Sequence, residues 1–187
     1  MSLNLKNYDP ALMQGADIDI SSLDISNVNT LDIAGTLTVD GASTLTGAVT
    51  ASAGVAVTGA VTATTAITSS GATSGIGYAT GAGGAVTQTT NRTTGVTLSK
   101  VTGAITTDTT SLAAGAAATF TVTNTAVAIG DTVVLSVRSG TTTVQTNVRV
   151  SAVAAGSFNI TVENNHASTA ETGAIIINFA VIKAVGA

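Results

Sequence analysis

Apolar and polar residues alternate in a six-residue repeat between Thr36 and Gly71. In each unit the second and fourth residues are mostly apolar, the third and fifth are mostly hydroxylic, and the sixth is usually Gly. The units are TLTVDG, ASTLTG, AVTASA, GVAVTG, AVTATT and AITSSG. Alternation with a period of two is typical of a strand, and a regularly spaced small residue favours turns. This segment, the hexad run, therefore predicts a wound or stacked β structure.

The hexad run is too short to form a stable β-helix alone. It would supply about two coils of a three-sided helix, whereas about three or more repeats are needed for stability. Three chains wound together would place the apolar rows at a shared axis and the hydroxyl rows in water. The predicted trimer core consists of Leu37, Val39, Leu45, Val49, Val55, Val57, Val61 and Ile67. The alternative is a flexible polar linker, against which the regular phase of the apolar positions argues.

A ragged alternation of Asp with Ile or Leu precedes the hexad run and predicts an acidic extended arm over residues 1–34. Residues 1–40 hold six Asp against one Lys, a local net charge of -5. Such carboxylates could bind calcium, but the ligand order and closing Glu of an EF-hand loop are missing, so solvated positions are favoured. We expect the first 16 residues to order only on a partner. The predicted contact residues of the arm are Leu3, Leu5, Tyr8, Leu12, Met13, Ile18 and Ile20.

Residues 77–187 carry many short alternating segments separated by turn residues, which predicts a β-sandwich or jelly-roll-like head. The strand candidates cover residues 85–90, 95–107, 117–124, 131–140, 146–154, 156–165 and 174–185. Phe120, Phe158 and Phe179 alternate with polar neighbours and are the expected core anchors. The glycine-rich residues 75–84 predict a hinge between a stem, residues 35–76, and this head. The whole chain is therefore expected to be all-β.

Composition excludes several classes of function. Of the 187 residues only 9% are charged and 3% aromatic, so the core is thin and symmetric association would supply buried area. Scattered cations make no basic patch for nucleic acid, and Thr, Ser and Gly interrupt any membrane span. The start resembles no signal peptide, which predicts folding in a cytoplasm. Cys is absent, so no disulfide or thiolate chemistry is expected.

The sequence carries no catalytic or cofactor motif. His166 is the single histidine, so a metal site would need three copies around an axis, and an exposed turn histidine is the favoured alternative. Glu163 and Glu171 could form an acid–base pair across a turn, but paired polar groups facing solvent on hairpin legs are commoner. The glycines of residues 75–84 are followed by no phosphate-binding GK[ST] motif. We expect no enzymatic activity, no cofactor and no resident metal.

Several segments of the head resemble known proteins. They are GYATGAGGAVTQTTNRTTGVTLSKVTGAITT, SLAAGAAATFTVTN, AGSFNITVENN and INFAVIKAV. This span, Gly77 to Ala187, resembles a C-terminal module of bacteriophage and prophage virion proteins described as head fibres, decoration proteins or tail-fibre-like proteins. The hexads are similar to the repetitive stems of trimeric viral fibres, which usually place the anchor first and the knob last. The resemblance implies that residues 1–34 hold the particle.

The leading hypothesis is a homotrimeric capsid decoration protein, either cement or a short head fibre, located on the virion surface and synthesised in the host cytoplasm. Its arm would bind the major capsid protein and its head would project outward. The second hypothesis is a short tail fibre or spike that binds a host surface receptor or glycan, for which 187 residues is short. A third, an ice-binding solenoid, follows from the Thr rows, although Thr is also an ordinary residue for a wet strand face.

Overall fold

A computed structural model describes residues 36–184 of the chain. The chain divides into two units between residues 62 and 63, and every strand of the described residues lies in the second unit. Among the described residues there is no helix, and the ordered elements are eight strands. The all-β prediction is confirmed for this part of the molecule.

The hexad run forms no strand within the single chain. In the first unit, residues 36–62 contain neither helix nor strand, and every one of these residues is exposed. Residues 63–80 of the second unit are likewise exposed and without regular structure. The alternation of the hexad run is therefore not matched by strand pairing inside one chain, and its pairing with other chains stays a prediction.

All eight strands lie in the predicted head, residues 77–187. Their bounds are β1 Ala85–Thr87, β2 Val96–Thr97, β3 Thr102–Thr106, β4 Ala117–Thr123, β5 Thr132–Ser139, β6 Thr146–Ala154, β7 Ser157–Asn164 and β8 Ile176–Ile182. Each strand lies inside one of the segments that alternation predicted. The segment 95–107 contains two strands, β2 and β3, because the chain turns at residues 98–101.

The strands form two four-stranded mixed sheets. Sheet A has the order β1-β3-β8-β5 and sheet B the order β2-β4-β7-β6. The β1–β3 and β2–β4 pairs are parallel, and the other pairs are antiparallel. One member of each parallel pair is short, two or three residues, so the long strands pair in the antiparallel mode.

The two sheets enclose one apolar core. Strand β4 alternates exposed and buried residues along its whole length, as period-two patterning requires when one face is packed. Phe120, Phe158 and Phe179 are at most 2% exposed, which confirms their prediction as core anchors. The rings of Phe158 in sheet B and Phe179 in sheet A lie 5.4 Å apart between centroids, so the inner faces meet in a sandwich-like arrangement.

Two turns of the head require glycine. Gly156 has φ of 79° in the two-residue connection between β6 and β7, a conformation that residues with a Cβ rarely adopt. Gly140, after β5, has φ of 91°, and a Cβ there would lie 2.0 Å from the backbone oxygen of Ala174. At Gly140 the loop after β5 therefore contacts the backbone of Ala174, in the segment that leads into β8.

Candidate functional site

The predicted trimer core residues are all exposed in the single chain. Their exposed fractions are Leu37 64%, Val39 52%, Leu45 70%, Val49 65%, Val55 73%, Val57 52%, Val61 65% and Ile67 59%. The hydroxylic residues of the alternate rows are exposed as well. Within the described residues, neither the apolar row nor the hydroxylic row of the hexad run is therefore covered by another part of the same chain.

The predicted arm residues lie outside the described residues. They are Leu3, Leu5, Tyr8, Leu12, Met13, Ile18 and Ile20, all before residue 36. Their role as a capsid contact remains a prediction from the sequence.

The glycine-rich residues 75–84 are hydrogen-bonded to β8, to β3 and to the connection between β2 and β3. The Tyr78 hydroxyl donates to the backbone oxygen of Val181 in β8. The Lys100 ammonium donates to the backbone oxygen of Gly81 at 3.1 Å, and the Ala104 amide donates to that of Gly84 at 2.9 Å. The predicted hinge is therefore tied to the head over its C-terminal part.

A buried carboxylate, which sequence analysis missed, organises one end of the head. Glu171 lies in the connection between β7 and β8 and has no exposed surface. Its Oε1 accepts hydrogen bonds from the Thr142 amide at 2.9 Å, the Thr142 hydroxyl at 2.6 Å and the Gly173 amide at 2.7 Å. Its Oε2 accepts from the Thr143 amide at 3.1 Å and the Thr146 hydroxyl at 2.6 Å. The carboxylate holds the loop between β5 and β6 in one conformation.

The surroundings of Glu171 favour its charged form. Burial by itself raises the pKa of this carboxyl, but the hydrogen bonds from Thr142, Thr146 and Gly173 outweigh it and lower the pKa to about 2. A carboxylate whose oxygens are occupied by donors has little capacity to accept a further proton at neutral pH. Glu171 is therefore suited to fixing a loop and not to general-base chemistry.

A buried arginine contacts the same connection. Arg92 is 3% exposed, and its guanidinium donates to the Gly173 oxygen at 2.8 Å, the Glu171 backbone oxygen at 3.3 Å and the Thr107 hydroxyl at 3.1 Å. Burial lowers the pKa of Arg92, while the nearby charges of Glu171 and Asp108 raise it. This residue binds the backbone that carries Glu171, so the two charges support one rigid cluster, the Glu171 network.

The expectation that Glu163 and Glu171 are similar solvent-facing groups is wrong. Glu163 does lie on the outer surface of sheet B, where its carboxylate accepts a hydrogen bond from Arg149 Nε at 2.8 Å. Glu171 instead pairs its backbone with Leu112 and is fully buried. The segment between them is a crossover from sheet B to sheet A and not a hairpin, which is why Glu171 reaches the interior.

His166 stabilises the loop in which it lies. Its Nδ1 accepts hydrogen bonds from the amides of Ser168 at 3.2 Å and Thr169 at 2.9 Å. Across residues 36–184, no group of three His, Cys, Asp or Glu side chains is arranged to hold a metal ion. Within the same part of the chain, no helix is long and apolar enough to cross a membrane.

Comparison of the chain with protein-family models, with curated proteins and with solved structures finds no match. These comparisons therefore supply no relative whose activity could be assigned to this chain. What the molecule does has to be inferred from its own residues.

Proposed function

We propose that this chain is a structural protein of a virus particle, a homotrimeric capsid decoration protein of the cement or head-fibre type. The observation that carries the proposal is the hexad run, in which apolar positions recur in phase and are 52–73% exposed in the single chain. A regular apolar row that one chain leaves in water is the surface that further copies would cover. Three copies around an axis would bury it and would also close the strand edges.

The proposed mechanism is mechanical and requires no catalysis. Residues 1–34 bind the major capsid protein, and the stem and head project from the shell. Three arms on one trimer multiply weak contacts, because binding of one arm raises the effective concentration of the others. Bridging neighbouring capsid subunits adds buried interface that opposes the pressure of the packaged genome. The acidic character of the arm suits a basic or polar groove on the capsid surface.

The test is to locate the protein on particles of the virus that encodes it. Immunogold labelling is expected on the capsid, and particles without the protein are expected to release their genome at a lower temperature. Complementation with a chain that lacks residues 1–34 should leave particles undecorated, while the free chain still assembles. Label confined to the tail would contradict the proposal, and a protein absent from purified particles would contradict any virion role.

One observation favours a second candidate, a short tail fibre or spike that binds a host surface. The Glu171 network fixes the loop between β5 and β6, and Val144 at its tip is 99% exposed. An apolar side chain held rigidly in water is suited to contact with a receptor protein or the apolar face of a glycan. This candidate predicts that Val144→Ser weakens binding of the labelled trimer to host cells at least tenfold. Unchanged binding would exclude the loop as the adhesive site.

A further inference from the structure

Among the strands of sheet A the one charged residue is Arg138, which is exposed at the bulge near the end of β5. In β8 the residues Ile177, Phe179 and Val181 point into the core, so the residues between them point away from it. Before that bulge, the outward residues of the three long strands of this sheet are Thr102, Ala104, Thr106, Thr132, Val134, Ser136, Ile176, Asn178, Ala180 and Ile182. Val134 is 49% and Ile182 55% exposed. This set, the sheet A outer face, consists of small and β-branched side chains.

The outer face of sheet B is built differently. Arg149 and Glu163 form an ion pair there, and the hydroxyls of Thr119 and Thr161 lie 2.8 Å apart in a hydrogen bond. The Thr121 hydroxyl donates to Asn159 Oδ1 at 3.0 Å. Charged and hydrogen-bonded side chains of this kind are typical of a face that meets water. The outer face of sheet B is therefore better suited to contact with water than the sheet A outer face is.

The chain enters the head at sheet A. The Tyr78 hydroxyl is bonded to the backbone of β8, and Gly83 and Gly84 border an open groove of about 450 Å³ on the sheet A outer face. The groove is also lined by Thr102, Val134 and Ala180. Because the hexad run directly precedes this segment, chains joined through their hexad runs would bring the sheet A faces of their heads close together.

We infer that the sheet A outer face packs against a second copy of this chain and extends the trimer interface from the stem into the head. The inference rests on the proposed trimer. Because Arg138 lies at the end of β5, the uncharged rest of the face can meet its own copy without burying an unpaired ion. The acidic residues 1–40, with net charge -5, match it poorly, because their six carboxylates would lose water while the strands of sheet A offer one cation, Arg138. Tethering through the stem also supplies the effective concentration that a modest apolar face requires.

The absence of cysteine from the chain allows a direct test with single thiols. Val134→Cys places a thiol on the sheet A outer face, and Thr121→Cys places a matched control on that of sheet B; both positions are exposed in the single chain. In the full-length assembled protein, we expect a maleimide to label Val134→Cys at least tenfold more slowly than Thr121→Cys. In denaturant both variants should label at the same rate.

Each other outcome overturns the inference in a distinguishable way. A trimer in which both thiols label equally fast would remove the sheet A interface and leave the proposed function intact. Protection of Val134→Cys that disappears on deletion of residues 1–34 would assign the face to the arm of the protein. A chain that light scattering shows to be monomeric would contradict both the inference and the proposed trimer.

Discussion

The hexad run and the head use the same alternation of small apolar and hydroxylic residues, yet only the head buries its apolar rows. In β4 every second residue is buried, whereas residues 36–80 are exposed throughout. The difference lies in whether the segment has another strand to pair with. Strand β4 pairs with β7 over seven residues from Ala117 to Thr123, about 40 residues away in sequence, whereas residues 36–80 form no strand pair within the described residues 36–184. Alternation creates a surface that can be buried, and burial requires a second surface.

Side-chain size widens this contrast. The head contains all three Phe residues of the chain, and each is at most 2% exposed. The hexad run contains no aromatic residue, and its largest side chains are Leu and Ile. A head built around large side chains can fold within one chain, whereas a run of Val, Ala and Thr offers only small contacts, which we propose further copies of the chain supply in number.

The largest effect is expected from the centre of the head. Phe158→Ala should lower the free energy of unfolding by about 3–5 kcal/mol, since it removes a buried ring and leaves a cavity. Val144→Ala is the control, because Val144 is 99% exposed and its loss should change stability by less than about 0.5 kcal/mol. Urea unfolding followed by circular dichroism measures both. Equal effects of the two substitutions would contradict the assigned core.

Acid should weaken the head next most strongly, through Glu171. Its pKa is lowered to about 2 in the folded protein from 4.5, so it contributes stability above about pH 4.5 that is lost as the pH falls toward 2. The loss attributable to this group is up to about 3 kcal/mol. Hydrogen bonds from Thr110 lower the pKa of Asp108, and a hydrogen bond from Lys183 lowers the pKa of Asp131. These two carboxylates therefore also contribute stability that is lost as the pH falls.

The contribution of Glu171 is isolated by subtraction. Urea midpoints measured from pH 6 to pH 2 should fall less steeply for Glu171→Gln than for the unmodified chain, while Asp108 and Asp131 act equally in both. Parallel pH profiles for the two proteins would show that the folded head does not lower the pKa of the Glu171 carboxyl.

At pH 7 the two glutamates should differ in their contribution to stability. Glu171→Gln should cost about 2 kcal/mol, because an amide replaces an oxygen acceptor with a donor facing other donors. Glu163→Gln, at the exposed pair with Arg149, should cost less than about 1 kcal/mol. The same unfolding experiment compares them. A cost for Glu163→Gln as large as that for Glu171→Gln would contradict the burial of the Glu171 network.

The smallest effect on the head is expected from the hexad run. Val55→Thr introduces a hydroxyl at an apolar position and should change the unfolding of the head by less than about 0.5 kcal/mol. It should nevertheless raise the protein concentration at which the trimer dissociates about tenfold, equivalent to about 2.8 kcal/mol per trimer because this concentration scales with the square root of the dissociation constant. The reverse exchange Thr58→Val, on the hydroxyl row, should leave dissociation unchanged. Sedimentation at several concentrations would separate the two positions.

The sequence predicts the strands of the head well because their alternation is local. It does not predict that β1 and β2 pair in parallel with β3 and β4, since strand pairing depends on contacts far apart in the chain. Strand β2 was not separated from β3 because it contains only two residues.

Glu171 was missed for a similar reason. Apart from the Gly173 amide, its donors lie 25–29 residues earlier, and Arg92, which holds its backbone, is 79 residues away. A single Glu in a polar loop gives no periodic signal of burial, whereas each Phe of the head stands in an alternating segment and was predicted correctly. The alternation of residues along the chain therefore could not predict the long-range polar contacts of the head.

The most direct test of the account is the mass of the full-length chain in solution, measured by light scattering with and without residues 1–34. We predict a trimer in both cases, because assembly is assigned to the hexad run and the head, and the arm is left free for the capsid. A folded monomer would contradict the central claim that the exposed apolar rows of the hexad run are covered by other copies of the chain.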